Sequence, residues 1–219
     1  MQLEMSTGFP HQQQVMLEPE TYTGGIVETN AHLIRLSGGI LLVDAPEGVA
    51  AWLKAKNIKV DALLLTHQHF DHVLDAAAVQ VAHGCTIHAW SDFSRDLTLE
   101  RFFGAMAGSA FSVPEFTVDV LLSETQTLSL GGCEWQLYHV PGHSVDSVCF
   151  WQKEHELLFS GDVIFRDSLG RTDFPGGSFQ QLVNGIQEKL WALPDTTQVY
   201  PGHGPATSIG RERRENPFL

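Results

Sequence analysis

The sequence predicts an α/β fold in one domain spanning residues 1–219. Three observations carry this. Short apolar runs of strand length alternate with segments of helical spacing in both halves of the chain. The 219 residues are 43% hydrophobic and 18% charged, the composition of a chain that builds its own core. Groups able to hold a metal ion recur just past the ends of predicted strands, where α/β proteins place their sites.

Residues 25–29 and 31–36 read as two strands. Gly38-Gly39 marks a turn, and 40–44 is a third strand. Residues 46–55 have helical spacing, with Val49, Trp52 and Leu53 apolar. The almost wholly apolar run 61–65 suits a strand buried on both faces. Residues 71–83, rich in Ala and Val, read as one helix, and 85–89 as another strand. Helical spacing returns at 97–106, followed by a loop at 108–114. Strands are then expected at 119–122, 127–130, 134–140, 147–151 and 157–160, a helix at 179–190 and a last strand at 198–200. The pattern fits two sheets with helices outside, or one mixed sheet.

Thirteen basic against 26 acidic residues give a formal charge of −13, which argues against nucleic-acid or anionic-membrane partners. No apolar run approaches the roughly 20 residues of a membrane span. The start of the chain, from Met1 to Gln14, lacks the basic and apolar regions of a secretory signal, so a cytoplasmic location is expected. Cys85, Cys133 and Cys149 form no CxxC pair and read as reduced thiols.

The strongest signal is Thr66-His67-Gln68-His69-Phe70-Asp71-His72. In extended chain, residues two apart share a side, so His67 and His69 can face one point. Asp71 and His72 then open a helix whose free N–H groups favour an anion or hydroxide. Imidazole and carboxylate are donors that Zn²⁺ accepts. Three further segments follow strands in the same manner: Gly142-His143, Gly161-Asp162 and Gly202-His203. The count is five His and two Asp. One four-coordinate ion does not need seven donors, but two ions sharing a carboxylate do. Such a pair polarises a carbonyl and supplies a hydroxide near neutral pH. Asp44, at a strand end, is either a partner to a ligating His or a turn residue. His11 and His155 read as surface residues. His32, His83, His88 and His139 read as core or supporting residues.

At these residues the chain resembles the metallo-β-lactamase superfamily: His67-x-His69-x-Asp71-His72, His143, Asp162 and His203 match its ligand set in order. It is most similar to the glyoxalase II-like (hydroxyacylglutathione hydrolase-like) branch, through Gly170-Arg171-Thr172-Asp173-Phe174-Pro175-Gly176-Gly177 and Pro201-Gly202-His203-Gly204-Pro205. The resemblance implies a four-layer αββα sandwich with its site at the edge between two sheets. It implies two divalent metal ions, zinc first, with iron or manganese as alternatives. His67, His69 and His143 would hold one; Asp71, His72 and His203 the other; Asp162 would bridge. It further implies a small-molecule thioester of the S-acylglutathione type, cleaved by a metal-bridging hydroxide that Asp71 orients. Arg171 falls where related hydrolases place a substrate-binding cation; an ion pair to Asp167 or Asp173 is the structural alternative. The oligomeric state is not set by these motifs.

Two departures stand out. The branch's C-terminal helical domain has no counterpart in the short stretch from Gly204 to Leu219 that follows the last donor. Around His143 the branch's Gly-His-Thr-x-Gly is Gly142-His143-Ser144-Val145-Asp146, with a carboxylate in place of glycine. The same motifs admit a mononuclear iron persulfide dioxygenase, whose branch shares the 170–174 segment, a lactone or β-lactam hydrolase, or a metal-binding protein without catalysis. The segment 91–116, with Phe102, Phe103, Phe111 and Phe116, is expected to form either a substrate wall or core.

Overall fold

The computed structural model describes residues 17–107, 111–124 and 127–219. The expected site residues all lie within them. His11 with the rest of 1–14, and positions 108–110 of the expected loop, lie outside the described residues.

The choice between one sheet and two resolves into two. The first contains β1 (Glu20–Gly24), β2 (Thr29–Leu36), β3 (Gly39–Val43), β4 (Ala62–Leu64), β5 (Thr86–Ala89) and β6 (Val120–Leu121), neighbours in that order. β1 to β3 are antiparallel, and β3 to β6 are parallel. The second contains β7 (Leu128–Leu130), β8 (Cys133–His139), β9 (Val148–Gln152), β10 (Leu157–Gly161), β13 (Gln198–Pro201) and β14 (Thr207–Ser208), in the order β14-β13-β10-β9-β8-β7. Between β10 and β13 in the chain, β11 (Ile164–Phe165) and β12 (Ser168–Leu169) make a small ribbon.

Side-chain alternation builds the layers. On β2 to β4, Ile34, Leu41, Val43, Ala62 and Leu64 face Trp135, Leu137, Val148, Phe150, Leu157 and Phe159 of the other sheet. Their neighbours Leu33, Leu42, Leu63 and Leu65 point the other way. They pack under α1 (Val49–Ala55), α2 (Phe70–Val73) and α3 (Ala76–His83). In the second sheet Cys149, Trp151, Leu158 and Val199 pack on α5 (Phe179–Gly185), its π-helical continuation Ile186–Leu190 and α6 (Ile209–Glu215). The result is the expected αββα sandwich. The central strands of each sheet are buried on both faces, which is why β4, β9 and β10 are apolar almost throughout.

Several local expectations need correction. Residues 25–28 are the turn between β1 and β2, not a strand. Gly25 and Glu28 take left-handed backbone there, and Ile26 is 87% exposed. The expected helix 71–83 is two helices, because Leu74 and Asp75 turn the chain between them. The Asp75 N–H donates to Ala45 O, and its carboxylate accepts from Ala50 N. The helix within 97–106 is α4 (Glu100–Ala107). Phe116 joins the core, Phe111 packs against that core while lining a cavity, and Phe103 lines cavities beside the donors. His155 is half-buried, in the turn before β10. The three cysteines are free, with Cys85 and Cys149 buried.

Candidate metal centre

The strand ends deliver the seven expected donors to one rim. His67, His69, Asp71 and His72 follow β4, His143 follows β8, Asp162 follows β10, and His203 follows β13. Three groupings of donor atoms lie within 4.8 Å of one another: His67, His69 and His143; His67, His72 and Asp162; Asp71, His72 and His203. Asp162 faces both sides. Its Oδ1 is 3.3 Å from His72 Nε2, and its Oδ2 is 3.4 Å from both His143 Nε2 and His203 Nε2. Asp71 Oδ2 is 3.4 Å from His72 Nε2 and 3.3 Å from His203 Nε2.

Partners behind the imidazoles fix their aim. Asp44 accepts from His72 Nδ1 at 2.8 Å, and from both the N–H and the hydroxyl of Thr66. This resolves Asp44 as a positioning residue. His143 Nδ1 bonds the carbonyl of Arg171 at 2.7 Å, His203 Nδ1 that of Val27 at 3.1 Å, and His67 Nδ1 meets Thr66 Oγ1 at 3.1 Å. Thr29 Oγ1 donates to Asp71 Oδ2 at 2.7 Å. The inner atoms that remain, His72 Nε2 and Asp162 Oδ1, are buried without hydrogen-bond partners among the described residues. Buried polar atoms are ordinarily paired, so these two fit a cation between them. A Cβ on Gly202 would collide with Asp162 Oδ1 and the His72 ring, so only glycine lets this loop approach. Imidazole and carboxylate donors suit zinc, iron or manganese.

Electrostatics divide the cluster. Burial, reinforced by neighbouring imidazoles, pushes the pKa of His67 well down and that of His69 to about 3. Burial also lowers that of His143, against an opposing pull from Asp162. His67, His69 and His143 are therefore neutral, the state a metal needs. For His72, burial is outweighed by Asp71, Asp162 and Asp44, which raise its pKa well above the ordinary value. His203 is likewise raised to about 10, because hydrogen bonds to Asp162 and Asp71 outweigh burial. Burial would raise the two carboxylates, but His72 and hydrogen bonds hold Asp71 at about 2 and Asp162 well below its usual range.

Besides Thr29, two supporting residues escaped the sequence reading. Gln68 points away from the donors, and its amide bonds Ser91 O, Asp92 O and Ser94 N. Its position between His67 and His69 indicates the parity, but not the partners. Asn30 donates to Pro201 O and Gly204 O, holding the His203 loop, and no local motif marks it. Asp146, the departure near His143, is buried. It accepts from Gln68 N at 3.0 Å and from Ser144 Oγ, so it ties the His143 loop to the His67–His72 loop. His32 bonds Pro201 O, His83 accepts from Val60 N, and His139 stacks on Trp90, all structural roles.

A groove of about 360 Å³ opens over the donors, walled by Val27, Phe70, Phe103, Phe165, Arg171 and Phe174. The Arg171 guanidinium pairs with both oxygens of Asp173, at 2.7 and 2.6 Å, and lies 4.0 Å over the Phe174 ring. The ion pair to Asp173 is thus present, and Arg171 still borders the groove. No described helix is long and apolar enough to cross a membrane.

Comparisons with known proteins agree with this architecture. The family model of the metallo-beta-lactamase superfamily matches residues 24–203. Hydroxyacylglutathione hydrolase GloC of Haemophilus influenzae is 37% identical over 169 residues, 74% of this chain and 76% of that protein. Among solved structures, BLEG-1 B3 metallo-beta-lactamase superposes with a TM-score of 0.80 at 31% identity, covering 92% of this chain and 99% of that one. TTHA1623 in a di-iron-bound form gives 0.77 at 36% identity, covering 91% and 100%. The chain belongs to the metallo-beta-lactamase superfamily.

Proposed function

We propose that this superfamily member is a dinuclear metal-dependent hydrolase acting on thioesters of the S-acylglutathione type. The observation that carries the dinuclear reading is Asp162, whose two oxygens face both donor sets. His67, His69 and His143 would hold one divalent cation, and Asp71, His72 and His203 the other, with Asp162 shared. Bound there, the pair supplies a hydroxide near neutral pH and a Lewis acid for the carbonyl oxygen. Zinc is the first metal to test, beside iron and manganese. The di-iron form of TTHA1623 keeps iron in view.

The remaining chemistry belongs to the chain. Asp71, anchored by Thr29, sits where it can orient the attacking oxygen and accept its proton. Arg171 borders the groove and can turn from Asp173 to a substrate carboxylate, as an exposed ion pair exchanges at little cost. Water adds across the C–S bond, leaving a carboxylic acid and a thiol. The thioester reading rests on the glyoxalase II-like motifs and on the likeness to GloC. The free cysteines suit work in the reducing cytoplasm.

The test is metal content per chain, measured on protein purified without chelator, together with thioester turnover. About two equivalents and hydrolysis of S-acylglutathione are expected. Asp162→Ala should lose metal and nearly all activity; full activity in that variant overturns the mechanism. A single equivalent of iron, with oxygen uptake on glutathione persulfide, would replace it with the dioxygenase reading. The likeness to BLEG-1 makes a β-lactam the control substrate.

A further inference from the structure

A second cavity of about 440 Å³ adjoins the groove and shares Val27, Phe70, Asp71 and Phe103 with it. Its other walls include Ile26, Leu74 and Phe111. The rings are locked together: Phe70 meets Phe103 at 5.1 Å and Phe111 at 5.2 Å between centroids. Apart from Asp71, on the side of the donors, Glu47 is the charged residue at its border. The lining therefore suits hydrocarbon and repels an anion.

The β1–β2 turn supplies the second clue. Ile26 is 87% and Val27 45% exposed, although neither serves either core. Two adjacent branched apolar side chains at a turn lose free energy to water unless something covers them. They stand at the mouth of this cavity, beside the donors. The backbone of the same turn is fixed, because the Val27 carbonyl bonds His203 Nδ1.

We infer that this chamber receives an apolar acyl arm of the substrate, so that the protein prefers thioesters of medium-length or aromatic acids to those of short hydroxyacids. The inference rests on the thioesterase reading for the bond cleaved, and on continuity of the two cavities for the place of the arm. The acyl carbonyl would lie over the donors, the hydrocarbon would pass Asp71 and Phe70, and the thiol portion would lie toward Arg171 and Phe174.

The experiment uses the metal-loaded full chain. Thioesters of one thiol, with straight acyl chains of increasing length, are expected to show kcat/KM rising about two- to fourfold per methylene until the chamber fills. Ile26→Glu, at an exposed turn where folding is not at risk, should lower the ratio of long-chain to short-chain kcat/KM about tenfold. A second measurement needs no turnover: calorimetric binding of straight-chain carboxylates, butanoate to octanoate. Affinity should grow with length, with an increasingly negative heat-capacity change, and Ile26→Glu should abolish that growth. Efficient hydrolysis with no dependence on acyl length, and none on Ile26, overturns the inference while the thioesterase reading stands. No thioester hydrolysis, but length-dependent binding that Ile26→Glu removes, overturns the thioesterase reading while the chamber stands.

Discussion

The two donor sets differ in how far water reaches them. His67, His69 and His143 are exposed by 4% or less; in the other set His72 is fully buried, but the side chains of Asp71 and His203 are 14% and 26% exposed. The closed set sits on the loops that Asp146 ties together, and burial lowers the pKa of each of its imidazoles. In the open set the carboxylates raise the pKa values of His72 and His203; Asp71 and His203 border the groove, as His69 and His143 do, and Asp71 also borders the apolar chamber. On the proposed dinuclear reading, the first set would retain its ion and the second would exchange it. Asp162 joins the two sets.

The largest test of that division is a matched pair of variants. His203→Ala should leave about one equivalent of metal instead of about two, and that equivalent should resist brief chelation. His69→Ala should instead remove the resistant ion. Elemental analysis before and after chelation reads both, and equal behaviour of the two variants would erase the distinction. A smaller effect is expected behind the open set. Asp44 has left-handed backbone, which asparagine tolerates, so Asp44→Asn isolates the loss of the acceptor for His72 and Thr66. Affinity for the second equivalent should fall about 10- to 100-fold, measured by metal titration, while the first changes little.

The smallest effect concerns the tie behind the closed set. Burial raises the Asp146 pKa from 3.8 to about 6, against its hydrogen bonds from Ser144 and Gln68. The folded protein therefore binds the extra proton more tightly than the unfolded chain. Its contribution to stability is greatest below the unfolded value, falls as pH rises from about 4 to about 6, and is level above. Asp146→Asn should remove that fall, a difference on the order of 1–3 kcal/mol in denaturant unfolding followed across this range. An unchanged pH slope would show that the carboxylate is not the buried acid of this loop.

The same contrast governs what can be read in the sequence. The four donors within 67–72 and the Gly-His and Gly-Asp pairs after strands announce themselves, because local sequence alone places them at strand ends. Asp44 is ambiguous there because its partners, Thr66 and His72, belong to a different loop, remote in sequence. Asn30 and Gln68 carry no local signature, since their bonds reach other loops. The β1–β2 turn reads as a strand because Ile26 and Val27 are β-formers. Their exposure there is a property of the site, and propensity does not register it. The break in the 71–83 segment is hidden because Leu74 fits helical spacing, while Asp75 is held by Ala45 and Ala50 from the β3–α1 region.

The β1–β2 region is stitched to the last donor loop: Thr29 bridges His203, Asn30 N–H donates to Gly202 O, and the Asn30 side chain holds Pro201 and Gly204. These contacts join the beginning of the fold to its end. Their contact order is high, and closing so long a loop is slow. During synthesis the two sheets can form in sequence, but the open donor set cannot exist until the strand carrying His203 has reached the first hairpin. On the proposed dinuclear reading, loading of the second ion would therefore report completed folding.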